Sequence, residues 1–284
     1  MQLELAGRHP LLRDNLAVAR AEDPSRFVLD ARRLLFAGPL DLTAAAASTH
    51  THAATGTDTA LLLPASPDVT AYIQRMDLLA VLPHATRVEG GTPDETRYDR
   101  STTLLEVTPL QPETADTVGE RLGRIAIHHL GARDGRKVFK GVGELIDNAV
   151  SHGAGPCGAF IAAQAYSGKT TGHRRLEIAV CDTGIGVLAH LLGNPDNAHV
   201  DTSRQALEHA LRRGVSGTRE PRGNGLPDLL SDTSDTAATR LVLRSGDGLL
   251  RAGRHADAAS VTRTTPTSVP VRGTWSWLRV SYRP

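Results

Sequence analysis

Two residues four apart in KVFKGVGELIDNAVSHG, Glu144 and Asn148, are of types that act on the same atoms. On a helix that spacing puts them one turn apart on one face. A carboxylate there can orient or deprotonate a water or hydroxyl. An amide oxygen there can ligate magnesium, which asks little of the protein when phosphates and water supply the other ligands. Farther on, VCDTGIGV delivers Asp182 at the end of an apolar run, with Gly184 and Gly186 just beyond. A carboxylate so placed can accept from an exocyclic amine, and the glycines let backbone pass close to a flat base. In RGNGLPDLL, Gly223 and Gly225 stand at the start of a helix, where backbone N–H groups meet phosphates. Each feature alone is ordinary. Glu and Asn at this spacing are commonly solvated, and an Asp ending a strand is commonly a turn residue. Their joint order is what an adenine nucleotide with its metal requires.

The elements that must position these residues are readable around them. Lys137 to His152 predicts an amphipathic helix. Lys137, Lys140, Glu144, Asn148 and Ser151 form a polar stripe, with Val138, Phe139, Val142, Leu145, Ile146, Ala149 and Val150 opposite. Before it, TLLEVTPL predicts a strand and ETADTVGERLGRIAIHHLG a helix that Gly131 ends. After it, CGAFIAAQAYSG and RRLEIAVCD predict antiparallel strands. From Val187 to about Gly225 the chain reads as loop-rich, with one helix in SRQALEHALRRG. TRLVLRSG, DGLLRAG and RGTWSWLRVSYR complete the strands, with a loop at about 260–270.

With these residues in place, Leu104 to Arg283 resembles the GHKL ATPase superfamily of gyrase, heat-shock chaperone, histidine kinase and mismatch-repair ATPases. Its look is nearest to the anti-sigma-factor kinases. GELIDNAVSHG resembles the N box, DTGIG the first glycine box and RGNGLPDLL the second. RGT at Arg272–Thr274 resembles the late Gly-Thr pair. The resemblance implies a Bergerat fold, ATP and magnesium as ligands, and roles for single residues. Asn148 would ligate magnesium and Glu144 would be the general base. Asp182 would contact the adenine amine, and Gly184 and Gly186 would shape the base pocket. Arg222, Gly223, Gly225 and Leu226 would line the phosphates, and Thr274 would hold the adenine end. Pro227 stands where another glycine is common. Of Arg213, Arg219 and Arg222, one would reach the γ-phosphate.

The first hundred residues are less legible. RFVLD, RLLF and TALLLP predict strands, TAAAASTHTHAATG a helix giving way to a loop that holds His50 and His52, and SPDVTAYIQRMDLLAVL a helix. Arg26 to Leu82 resembles a STAS domain. Gly38, Pro39 and Leu40 occupy the place where such a domain has its phosphorylatable serine, so serine phosphorylation is not expected there. His84 to Ser101 is polar and reads as a linker. The expected fold class is α/β, an α+β two-layer sandwich. A small α/β domain over 1–100 would precede a Bergerat-fold ATP-binding domain over 101–284.

Composition bounds the rest. The 284 residues carry 32 basic and 31 acidic side chains, so a net charge of +1 gives no electrostatic case for nucleic acid or an acidic membrane. Two cysteines, Cys157 and Cys181, imply no disulfide framework. No secretory leader and no membrane-spanning run is read, so a cytoplasmic protein is expected. The expected activity is slow magnesium-dependent ATP hydrolysis, coupled through a lid at 187–224 to a protein partner or a homodimer. Two alternatives stay open: phosphotransfer to a serine or threonine of a partner, and ATP-gated interaction without catalysis.

Overall fold

The computed structural model describes residues 1–20, 23, 25–93, 98–151, 157–168, 172–215, 230, 237–254 and 260–282. Helices and strands are mixed throughout, and two five-stranded sheets carry the chain.

The first sheet has the order β3-β1-β4-β6-β7, from strands Ala17–Ala19, Gln2–Glu4, Arg26–Asp30, Asp58–Leu62 and Arg87–Glu89. Only the β1–β3 pair is antiparallel. β4 and β6 lie where RFVLD and TALLLP predict strands. β7 falls inside the stretch expected to be linker; its three residues pair with β6 and are exposed, so no apolar run announces them. Gly7–Arg8 (β2) and Leu34–Phe36 (β5) make a separate short pair.

Helix α1, Pro39–Ala53, starts with Pro39 at its first position. Asp41 is buried and accepts from Gly38 N–H at 2.8 Å and Leu11 N–H at 3.0 Å, which ties the helix start to the N-terminal segment. His50 and His52, expected in a loop, lie in the last turn of α1. His50 bonds the Val81 carbonyl at 2.7 Å, and His52 stacks on Phe27 with centroids 3.9 Å apart. The single helix expected from SPDVTAYIQRMDLLAVL is two, α2 (Pro67–Arg75) and α3 (Leu78–Val81). Asp77 at φ 58° breaks it.

The second sheet has the order β11-β12-β10-β9-β8 and is antiparallel at every pair. Its strands are Leu104–Leu110 (β8), Ala159–Tyr166 (β9), Arg174–Asp182 (β10), Ala237–Arg254 (β11) and Val261–Tyr282 (β12). Two expected short strands are one long β11, and the loop expected at 260–270 is mostly the first half of β12. Pro266 and Pro270 argue against a strand. They are accommodated where the two strands run on as a ribbon whose register jumps from Ser245↔Thr274 to Gly246↔Val271 and then to Gly248↔Pro266.

Helix α4 runs Pro112–Ser151 and breaks at Gly131, where φ 79° and ψ 166° are not helical. Its second half buries Val138, Val142, Leu145, Ile146 and Ala149 against Ile161, Ile178, Val180, Leu278 and Val280. Phe139, expected on this apolar side, is 39% exposed, with its ring laid over Gly123 of the first half. The stretch expected to be loop-rich holds a further helix, α5 (Gly186–Leu192), before α6 (Ser203–Ala210). α6 packs on β11 through Leu207, which meets Leu241, Leu243 and Leu250.

Strand alternation assigns the two faces of this sheet. Leu176, Ile178 and Val180 of β10 face α4, whereas Ala179 and Cys181 belong to the cluster that includes α1 and the first sheet. On β12, Leu278 and Val280 face α4, and Trp275 and Trp277 face the other way. α1 covers that other face against β9, β10 and β12, adding a third layer to the two expected from sequence.

Candidate nucleotide site

Asp182 is the last residue of β10 and keeps the parity of Ile178 and Val180, so its carboxylate is on the α4 side. It is 6% exposed. Oδ1 accepts from Gly184 N–H at 2.9 Å, and the amide and hydroxyl of Thr274 also favour the charged carboxylate. Burial pushes its pKa up to about 6, against the pull of these three donors. An ionised carboxylate has about four acceptor positions. Gly184 N–H takes one of them among the described residues, which leaves room for an exocyclic amine.

The wall beside Asp182 is built from glycines and one hydroxyl. Gly273 has φ +73°, and a Cβ there would come within 2.1 Å of the Asp182 carbonyl oxygen. No other residue fits so close an approach. Gly186 has φ +77°, and a Cβ there would lie 2.7 Å from Ser245 Oγ. Ser245 is buried; its hydroxyl donates to Gly273 O at 2.9 Å and accepts from Val187 N–H at 2.9 Å. Thr183 Oγ1 donates to Gly158 O at 3.0 Å, and Arg272 Nε donates to Thr183 O at 3.0 Å. The strand end, the start of α5 and the β12 irregularity are therefore one hydrogen-bonded unit. Ser245 was not singled out from sequence. The only signal was Gly246 and Gly248 inside a strand pattern, which marks a bulge.

Glu144 and Asn148 lie one turn apart on the second half of α4, Glu144 half-buried and Asn148 exposed. Ala149 and Ala159 share one apolar cluster, and Ala159 is the register partner of Asp182. The second half of α4 and the Asp182 carboxylate therefore lie on the same face of the sheet. Among the described residues no hydrogen bond joins Glu144 or Asn148 to the Asp182 unit, and no group of three His, Cys, Asp or Glu gathers as a metal site. A magnesium beside Asn148 would take its remaining ligands from phosphate oxygens and water, the arrangement this ion favours. Of the expected site residues, the structure brings Asp182, Gly184, Gly186 and Thr274 together. Arg222, Gly223, Gly225 and Leu226 lie outside the described residues, as do His152, Gly153, Arg219 and Pro227. Arg213 is described, just beyond α6.

No helix among the described residues is long and apolar enough to cross a membrane. No protein-family model and no curated protein matches the chain.

Proposed function

We propose that this protein binds ATP with magnesium between α4 and the α5–α6 layer and hydrolyses it slowly, in the manner of a GHKL ATPase with a Bergerat fold. The observation that carries the reading is Asp182: a buried carboxylate at a strand end, with Gly184 N–H on Oδ1 and glycines beside it. In this reading Asp182 accepts from the adenine amine, and Thr274 helps hold the adenine end. Gly184, Gly186 and Gly273 keep the base plane clear of side chains. Asn148 offers its amide oxygen to magnesium, and Glu144, one turn earlier, orients water or takes its proton. Bound magnesium would neutralise phosphate charge during transfer. Arg222, Gly223, Gly225 and Leu226 remain the phosphate contacts implied by the resemblance. A protein partner or a second copy would complete the site. The chain would act in the cytoplasm, with residues 1–100 as a STAS-like regulatory module.

The experiment is equilibrium binding and turnover of labelled ATP with magnesium. The parent should bind ATP and release phosphate. Glu144→Ala should bind within about threefold of the parent and lose turnover by roughly 100-fold, the size expected when a general base is removed. Turnover at the parental rate would remove Glu144 from the mechanism. Label appearing on an added protein instead of as free phosphate would favour a serine/threonine kinase, and binding with neither outcome a nucleotide-gated interaction module. Asn148→Ala should weaken ATP binding only when magnesium is present.

A further inference from the structure

Behind the site, on the opposite face of the second sheet, a cleft opens between α1, the first sheet and Val269–Trp275 of β12. Its volume is about 60 Å³. At roughly 10–15 Å³ for each water-sized occupant, it takes about four to six heavy atoms. Leu3, Phe27, Ala47, Val271 and Trp275 give it an apolar body. Arg272 stands in its lining, exposed and anchored through Nε on Thr183 O. His52 lines it too, and burial and the Met1 ammonium lower its pKa; that ammonium, also in the lining, is bonded to Arg26 O at 2.7 Å, so Arg272 is the side-chain cation at neutral pH. No Asp or Glu is among the lining residues.

An apolar body of that size beside a guanidinium, without a competing carboxylate, matches one class of ligand. We propose that this cleft binds a small monocarboxylate with a tail of about two to three carbons, its carboxylate on Arg272 and its tail against Phe27 and Trp275. The consequence for the nucleotide site rests on the reading given above. Val271, Arg272 and Trp275 line the cleft, and Gly273 and Thr274 between them adjoin Asp182. An occupant that shifts this stretch alters the acceptor for adenine.

Trp275 supplies the reporter. The full chain is titrated at fixed ionic strength with butyrate and, separately, with 1-butanol, following tryptophan emission. Butyrate should give a saturable change, and butanol should need at least tenfold higher concentration. Arg272→Gln should weaken butyrate about tenfold and leave butanol unchanged. Val18→Phe adds bulk at an exposed position on the rim and should remove both responses without unfolding the protein. Absence of a saturable change, equal responses to acid and alcohol, or parental butyrate binding by both variants would overturn the proposal. ATP affinity with and without butyrate then reads the coupling. Failure of ATP to bind at all counts against the nucleotide reading, while the emission titration still decides the cleft.

Discussion

A carboxylate that is 6% exposed, with a backbone N–H rather than a cation on Oδ1, costs folding free energy. Raising Asp182 from its ordinary 3.8 to about 6 corresponds to about 3 kcal/mol at neutral pH. The folded pKa lies above the unfolded one, so the folded state holds the proton longer. The penalty is full above pH 6, shrinks as pH falls through the window, and is gone below 3.8. Asp182→Asn keeps the shape and an acceptor oxygen without the charge. It should therefore raise the melting temperature at pH 7.5, with roughly half of that gain left near pH 5 and none below the ordinary carboxylate value. The same variant should lose discrimination of ATP from GTP, because an exocyclic amine is held less well by a neutral amide. A stabilised variant that still discriminates would separate burial from adenine recognition and remove Asp182 from the pocket. The residue itself was legible in sequence, since DTGIG at the end of an apolar run names a strand end and a tight backbone together. Its burial was not, because that depends on the close approach of Gly273, which is 91 residues away in the chain.

Between β10, β11 and β12 the site is held by backbone geometry that side-chain pattern does not encode. The register jump at Ser245↔Thr274 leaves Arg272 and Gly273 without strand partners, and Ser245 Oγ restores the bonds of Gly273 O and Val187 N–H. Ser245→Ala would leave both backbone groups unpaired in a buried place, at about 2 kcal/mol. The expected outcome is a lower unfolding midpoint in urea and weaker ATP binding together. Gly273→Ala is the harsher change, since the added methyl meets the Asp182 carbonyl and φ +73° disfavours any side chain. It should destabilise by about 2–4 kcal/mol in the same titration. The elements with clear periodicity, β9, β10 and the second half of α4, were readable because each buries one face against one partner. β7, β12 up to Pro270 and α5 were not. β7 is three exposed residues, the β12 stretch is rich in threonine and proline, and α5 follows glycines that read as a turn.

At the scale of the molecule, the polar stretch His84–Ser101 reads as a boundary, yet the apolar core crosses it. Leu104, Val107, Phe160, Cys181, Val242, Trp275 and Trp277 share one cluster with α1 and the first sheet. Polar bonds follow the same seam. Tyr72 donates to Gln164 at 2.5 Å, Arg75 reaches Glu106 at 2.6 Å, and buried Arg244 donates to Arg13 O at 2.6 Å. Adjacent residues on the second sheet therefore serve opposite faces: Cys181 contacts Thr43 of α1 while Asp182 faces α4, and Arg244 holds the N-terminal segment while Ser245 holds Gly273. This alternation links the first hundred residues to the same strands that carry Asp182 and Ser245, a path by which they could act on the site. It also predicts that residues 101–284 do not behave as an independent unit. Removing the first hundred residues would uncover Phe160, Trp275 and Trp277. Aromatic side chains bury about 150–250 Å² each, so these three alone would create a patch of roughly 500 Å², as large as the biggest on an ordinary monomer. The fragment should bind a hydrophobic dye strongly and run as aggregate on size exclusion, and adding residues 1–100 in trans should restore a defined particle. A monomeric fragment that binds no dye would mean that the seam is a loose contact, and the path from α1 to Asp182 would go with it.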